Sequence, residues 1–558
     1  MIKRQNTLKL LMVWLCLLFG QAVYSQSDYT GKKRVTGTYA ITNATIITSP
    51  GKTINNGTVI IKDGLFESIS SNAQVPVDAQ IIPGDSLIIY PGFIDALGEQ
   101  GVSAPDEVKK PEGMDPSNPP NDVAGITPEL EVLQYWEIGD NGVEDWRKNG
   151  FSISQVAPKG LMLPGKTALV VFGDEKSSNY LSTASGLYAQ FKTARGVYPG
   201  TTLGLMAKWR ELYKNAELKQ QHSKMFASQG NGLARPQNDL SLEAFYPVIN
   251  QEIPVIFKTK DELEIRRALK LQNELGFKLV LAGIEDGSSL ADDIKAAGAS
   301  VILSLDLPDP KASQAELEDA TEEAKKAQQR VVEAYNNALM QAANFEKAGI
   351  PFAFSTLDAK SGEFMKHLRL MVENGLSEEA ALAALTVNAA EILGISQFTG
   401  SIAEGNLANL VITTDKLTDE MVKIKYVFAD GYLFEYEGGK SNVDMSKAKE
   451  LVGNWNYESE TPGGTSKGTV KYEVSSGELQ GEIVVDDPDG GGQITRKLKD
   501  INYDGKELSF NFSVMAQGNK LIVHAKGIVM DNKFEGTLSI KDMGKYSLKA
   551  TKVPEFKL

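Results

Sequence analysis

Tyr90-Pro-Gly-Phe-Ile-Asp-Ala-Leu-Gly-Glu-Gln-Gly101 is the stretch whose reading decides the fold. Ahead of it, Ser86-Leu-Ile-Ile-Tyr90 is an apolar, β-branched run of strand length. Pro91-Gly92 redirects the chain, and Phe93-Ile94-Asp95 reads as a second short buried strand ending in a carboxylate. After it, Ser103 to Pro128 forms a long proline-rich loop, with prolines at 105, 111, 116, 119, 120 and 128. A loop of this length without strand or helix patterning is either functional or irregular packing.

At the start, Met1-Ile-Lys-Arg4 and Lys9 precede the apolar run Leu10 to Phe19, and Val23-Tyr24-Ser25 follows. A basic segment, a short apolar core and small residues before Gln26 describe a secretory signal peptide over residues 1–25. The run is too short for a comfortable permanent anchor. The only cysteine, Cys16, lies inside it, so the mature chain has no disulfide, cysteine nucleophile or thiolate metal site. The 558 residues suffice for two or three domains, and 42% hydrophobic content is that of a globular protein. A formal net charge of −14 argues against a nucleic-acid partner, which needs a basic face. The expected location is periplasmic or secreted, with no membrane span after signal cleavage.

From Tyr39 to about Ser70 the pattern is short strands and turns. Ala40 to Ile47 alternates, Asn55-Asn-Gly57 reads as a turn, Thr58 to Ile61 is a strand and Lys62-Asp-Gly64 a tight reversal. Strand-like and helix-like stretches then alternate, which predicts a parallel α/β fold. Residues 152–157, 168–172, 254–257, 278–282, 300–305 and 352–355 read as buried strands; 262–274 and 290–297 have helical spacing. Ser313-Gln-Ala-Glu316 is a capping box opening a long helix to about Lys347. Its apolar stripe runs Leu317, Ala320, Ala324, Ala327, Val331 and Ala334, that of a solvated helix outside a barrel.

The frame from Pro91 to Asp95 resembles the amidohydrolase superfamily, whose metal-dependent hydrolases carry Pro-Gly-Phe-Ile-Asp-x-His-x-His at the first barrel strand. Over 300 residues later, Gly400-Ser-Ile-Ala-Glu-Gly-Asn-Leu-Ala-Asn-Leu-Val-Ile412 resembles that family's Gly-Ser-Ile-x-x-Gly-x-x-Ala-Asp-Leu-Val, with Asn409 in the aspartate position. Residues 376–382 and 386–390 resemble its final helices. Val156-Ala-Pro-Lys-Gly160 and Pro164-Gly-Lys-Thr-Ala168 narrow the likeness to exported imidazolonepropionase-like amidohydrolases of bacteria, in which such a barrel can accompany an intact homologue. Gly165-Lys-Thr167 lacks the earlier glycine spacing of a phosphate-binding loop. The resemblance, over roughly residues 37 to 435, implies a (β/α)8 TIM-type barrel at 91–397, and a composite β-sandwich from 33–90 and 398–440. The loop at 103–128 then lies over the C-terminal mouth, where active sites of this fold sit, as a lid or as plain packing.

Such hydrolases hold one or two divalent ions at strand ends and generate a hydroxide there. The resemblance implies histidines after the first, fifth and sixth strands and an aspartate after the eighth. Leu97 and Glu99 stand at the first pair, Lys258 at the fifth, Ala282 at the sixth and Leu357 at the eighth, with Asp358 one residue later. The chain has three histidines in all, and His222, His367 and His524 each read as an ordinary surface or packing residue away from a barrel strand end. No ordinary mono- or dinuclear site is expected from these residues. Glu99, Lys258 and Asp358 remain as catalytic candidates for a non-standard site; equally, Lys258 fills the space of a lost cation and neutralises Asp95, Glu99 or Asp358.

After Gly438-Gly-Lys-Ser-Asn442, a polar linker, Gly453-Asn-Trp455 opens about eight short alternating strands. Residues 446–558 resemble a small lipocalin-like antiparallel β-barrel, with Trp455 a core plug. Two functions stand. The first is an exported, catalytically degenerate amidohydrolase homologue that binds a small ligand, an intact hydrolase partner or a second copy of itself, with no cofactor expected. The second is an active hydrolase of C–N bonds (amide, lactam or peptide) using one divalent metal in a non-standard site. A ligand-binding role centred on the C-terminal barrel is a third.

Overall fold

The computed structural model describes residues 37–554 except 175–178, 311–320, 421, 437–442, 444, 462–463, 476–477, 489, 517–518 and 541–542. The signal-peptide segment, the capping box at Ser313–Glu316 with Leu317 and Ala320, and the linker at 438–442 lie outside the described residues.

The first unit is one sheet built from both ends of the resembling region. β1 (Thr38–Ser49), β2 (Lys52–Lys62), β3 (Leu65–Ser70), β4 (Gln80–Pro83) and β5 (Ile88–Pro91) come from the first segment. β14 (Leu410–Thr413), β15 (Ile424–Ala429) and β16 (Tyr432–Glu435) come from the second. They form a single hydrogen-bonded sheet in the order β16-β15-β14-β5-β1-β2-β3, with β4 branching from β1. The segments meet where β14 runs antiparallel to β5, from Leu410 opposite Pro91 to Thr413 opposite Ile88. Asp63 and Gly64 both take positive φ, as the reversal after Lys62 requires. Asn55–Gly57 is not a turn. It lies inside β2, where the pairing to β1 is irregular and Asn56 has φ 49°, and the reversal falls at Pro50-Gly51 instead.

Eight strands in order make the barrel: β6 (Phe93–Gly98), β7 (Phe151–Val156), β8 (Gly165–Val171), β9 (Tyr180–Gln190), β10 (Val255–Lys258), β11 (Leu279–Ile284), β12 (Ser300–Ser304) and β13 (Phe352–Ser355). Their side chains divide between two apolar layers with the two-residue period of a strand, except on β7, where an irregular register with β6 puts Phe151 and Ile153 in different layers. Ile94, Ile153, Leu169, Tyr188, Ile256, Val280, Ile302 and Ala353, one from each strand, pack in the interior. Phe93, Phe151, Val170, Leu187, Phe257, Leu281, Leu303 and Phe354 face the outer layer that holds the helices.

The barrel departs from a regular (β/α)8 alternation at one place. β8 runs antiparallel to both β7 and β9, so the two connections around it are hairpin-like rather than helical crossovers. β9 was not legible as a strand, because Tyr180-Leu-Ser-Thr-Ala-Ser-Gly mixes small and polar residues. The long helix spans Glu322–Lys347 among the described residues, capped by Thr321. Its expected stripe is not the buried one: Val331 is 40% exposed, and burial is carried by Leu339, Ala342, Ala343 and Phe345 at the other end.

The C-terminal region is a nine-stranded antiparallel meander from Gly453–Thr461 to Gly544–Lys552, in which the first strand also pairs with the last. Its edges, Gln493–Lys497 and Lys499–Tyr503, are joined through Leu498. Aromatic side chains fill its inner face, among them Tyr472, Phe510, Phe512 and Phe534. Trp455 is 2% exposed and its indole N–H donates to the Leu451 carbonyl at 2.8 Å, as a core residue should.

β6 and β13, first and last, meet around the carboxylate of Asp95. Oδ1 accepts from the backbone N–H groups of Leu97 (3.2 Å) and Thr356 (2.9 Å). Oδ2 accepts from Ser154 Oγ (2.7 Å), Thr356 Oγ1 (2.8 Å) and Gln100 Nε2 (2.9 Å). Ser355 Oγ adds a 2.6 Å bond to the Leu97 carbonyl. Gly98 lies against this cage, and a Cβ there would collide with the Asp95 carboxylate and the Gln100 amide, both buried. Gly98→Ala should therefore cost about 1–3 kcal/mol, the range for forcing extra volume into a packed site. Urea unfolding followed by tryptophan fluorescence checks this, and an unchanged midpoint contradicts the closure role given to Asp95.

Candidate functional site

Side chains at the C-terminal strand ends converge on the barrel mouth. β10 ends with Ile256 in the interior layer, and the period of two puts Lys258 on the same face one step higher. Its Nζ lies 2.6 Å from Asp358 Oδ2, just beyond β13. Lys260 Nζ is 3.7 Å from the same oxygen and 2.7 Å from Glu285 Oε1, beyond β11. Asp358 has φ 66°, a left-handed conformation that aspartate tolerates but that costs about 1 kcal/mol or more, so the pair is held partly against backbone preference.

Glu99 is half-buried beyond β6, beside a cavity of about 270 Å³ that it shares with Gln100, Lys159, Thr356 and Asp358. Burial pushes its carboxyl above the ordinary range; Lys159 and Lys258 pull it back, Asp358 adds to the push and Lys192 opposes it. Burial also works against ionisation of Asp358, but the hydrogen bond and charge of Lys258, followed by Lys260, prevail and hold it below the usual carboxylate range. Tyr188, fully buried beneath, has its phenol pushed far up by burial and then by the charges of Glu99 and Asp358. Glu99, Lys258 and Asp358, 259 residues apart at the extremes (358 − 99), are thus brought to one electrostatic cluster. Leu97, Ala282 and Leu357 are buried below it in the apolar interior layer.

The loop at 103–128 is partly anchored beside the mouth. Val123 is buried with Ala194 and Val197, and Met114 and Leu161 pack on them. The Tyr198 N–H donates to the Pro116 carbonyl at 2.8 Å and Lys110 Nζ to the Arg195 carbonyl at 2.8 Å.

The three histidines separate. His222 is half-buried on the helix Thr202–Ser228, and His524 lies on a C-terminal strand with Nδ1 2.6 Å from Asn511 Oδ1. His367 departs from the expectation of an ordinary residue away from the strand ends. It is buried on the helix Phe364–Glu373, and its Nδ1 lies 2.9 Å from the carbonyl of Leu305, next to the end of β12. It joins Asp306 and Glu363, whose ligand atoms and its own all lie within 4.8 Å of one another. Burial pushes Asp306 up; His367 pulls it down, and Glu285, Asp358 and Glu363 push it further up. The signal for two of the three was present in sequence, since Glu363 and His367 stand four apart, at and just inside the start of one helix.

The eight-stranded barrel, flanked by a sheet built from both neighbouring segments, carries its charged cluster at the C-terminal mouth, the face where sites of this fold sit. Residues 283–434 match the model of the amidohydrolase family. The solved structure of an amidohydrolase from Thermotoga maritima MSB8 superposes with a TM-score of 0.58 at 20% identity, covering 71% of this chain and 100% of that one. Adenine deaminase 2 of Jannaschia sp. (strain CCS1) is 32% identical over 93 residues, a match that spans 16% of this chain and 14% of the deaminase. The stretch 283–434 is thus similar to the amidohydrolase family, and the fold as a whole is that of the Thermotoga maritima amidohydrolase.

Glu99 gives a pH-dependent prediction with a definite sign. A carboxyl whose folded pKa is raised stabilises the fold below its unfolded value, 4.5, and that contribution is lost as pH rises through the folded value. Glu99→Gln removes the penalty of ionising a desolvated carboxyl. The variant should melt above the wild type at pH 7, and the difference should shrink as pH falls toward 4.5 and below. Calorimetry across that range checks it; a gain that grows on acidification contradicts the burial of Glu99.

Proposed function

We propose that this protein is a catalytically degenerate amidohydrolase homologue, exported to the periplasm or beyond, that binds a small ligand, an intact hydrolase subunit or another copy of itself. The observation that carries the reading is the Lys258–Asp358 ion pair at 2.6 Å, set above Leu97, Ala282 and Leu357. On the alignment of strand ends with the family motif, these are the positions of the superfamily's metal ligands. Two leucines and an alanine offer no lone pair to a divalent ion, and an ammonium group repels one. The residues therefore do not fit the family's metal centre. Lys258 instead supplies positive charge to Asp358 and, with Lys159 and Lys192, to Glu99, carboxylates that would otherwise be poorly compensated.

Export is supported by the leader pattern of residues 1–25. Among the described residues no helix is long and apolar enough to cross a membrane. The C-terminal meander is read as a lipocalin-like barrel; its aromatic interior favours a structural role over a ligand cavity.

The second reading, an active C–N hydrolase, draws on the family itself and on the cluster of Glu99, Lys258 and Asp358. A lysine and two carboxylates within one mouth supply an acid and a base without a metal.

One assay separates them. The purified full-length protein, supplemented in turn with zinc and manganese, is given a panel of amides, lactams and dipeptides. The degenerate reading expects rates at the buffer background. Turnover that disappears in both Lys258→Met and Glu99→Gln, each still folded by circular dichroism, would establish the hydrolase instead.

A further inference from the structure

We propose that Asp306, Glu363 and His367 form a divalent transition-metal site at the barrel rim, distinct from the interior positions of the superfamily's metal centre. Asp306 sits two residues past β12, where its backbone N–H donates to Ser304 Oγ at 3.0 Å. Glu363 ends the 3-10 turn Ser361–Glu363 that leads straight into the helix of His367, and its Oε2 lies 3.7 Å from His367 Nε2 one turn on. The three ligand atoms lie within 4.8 Å of one another.

Three features favour a metal over a plain acid–histidine pair. The first is the tautomer. Nδ1 lies 2.9 Å from the Leu305 carbonyl, which only accepts, so Nδ1 carries the proton. In the neutral ring the Nε2 lone pair then faces Glu363, and a backbone acceptor behind the ring is the usual outer support of a metal-bound histidine. The second is distance. Nε2 lies 3.7 Å from Glu363 Oε2, too far for a hydrogen bond. With metal–nitrogen and metal–oxygen bonds of about 2.0–2.2 Å, ligand atoms around one ion stand about 3–4 Å apart, which this separation meets. The third is burial. His367 is 5% exposed and its Nε2 is turned toward the Glu363 carboxylate, so the inward nitrogen is committed to this space.

Charge agrees. Glu285 and Asp358 also act on Asp306, while the nearby cations are already engaged, Lys260 with Glu285 at 2.7 Å and Lys258 with Asp358 at 2.6 Å. Two carboxylates and one imidazole suit zinc or manganese with solvent completing the shell, and the imidazole disfavours magnesium and calcium. Asp306 comes from the seventh strand end, whereas the motif alignment puts the superfamily's ligands after the first, fifth, sixth and eighth. The site therefore stands whether or not the mouth is catalytic.

The test uses the full-length protein, stripped with chelator and titrated with zinc by calorimetry. One equivalent should bind, with affinity reduced tenfold or more in His367→Gln and in Asp306→Asn and unchanged in Glu99→Gln. Magnesium in millimolar excess should not displace it. Anomalous diffraction at the zinc edge should place the ion between Asp306 and His367. Because His367 is buried, Glu363→Gln, at a half-exposed position, serves as the second ligand variant if His367→Gln does not fold. Absence of zinc binding, binding indifferent to both Asp306→Asn and Glu363→Gln, or loss of zinc in Glu99→Gln would overturn the proposal.

Discussion

A single buried carboxylate holds the barrel together at its seam. Asp95 accepts five hydrogen bonds from groups on the first strand and the segment just after it, the second strand and the turn after the last. In a closed sheet the first and last strands have the largest sequence separation to overcome, 261 residues from Asp95 to Thr356, and the chain entropy of joining them is correspondingly large. Burial alone would drive Asp95 toward its neutral form; the hydroxyl, amide and backbone donors oppose that push. The seam is therefore polar and directional, where the rest of the barrel is held by apolar layers. Gly98 has to be glycine for the same reason, since the cage occupies the space its side chain would take.

Everything at the mouth is built on that seam. Once β13 is docked beside β6, Asp358 projects toward Lys258 and Glu99 lies within the same electrostatic field. Ammonium groups from β10 and its following loop then balance carboxylates from four other strand ends. The opposing shifts of Glu99 and Asp358 show how locally this is decided. The two carboxyls belong to one cluster, yet Asp358, in direct contact with Lys258, stays ionised more readily than usual, while the more desolvated Glu99 resists ionisation. Groups of opposite tendency in one cleft are a mark of functional sites, although structural ion pairs produce it too.

Much of the fold was legible because strands and helices with one buried face impose a period on the sequence. The continuous apolar runs at Val255–Lys258, Leu279–Ile284 and Ser300–Ser304 read correctly as buried strands. β9 did not, because its neighbours β8 and β10 satisfy its backbone regardless of its small and polar side chains. The stripe assigned along Glu322–Lys347 also failed: only the C-terminal half of that helix meets the barrel, so the period near Val331 reflects no packing. Among the candidate residues, Glu99, Lys258 and Asp358 were reached through strand-end motifs. Asp306 and His367 were not, since no motif joins positions 61 apart (367 − 306) on a strand end and a helix.

The sequence by itself determined the α/β barrel between two β-segments, the family likeness of its motifs, and the lysine, leucines and alanine at the motif positions. Those follow from local pattern: apolar period, turn chemistry and side-chain identity at counted steps from a strand. Tertiary structure alone decided the antiparallel β8, the pairing of Lys258 with Asp358, the five-donor cage on Asp95 and the meeting of His367 with Asp306. Each depends on which surfaces face one another after the barrel closes, and a contact between distant residues leaves no period in the chain for either partner to reveal.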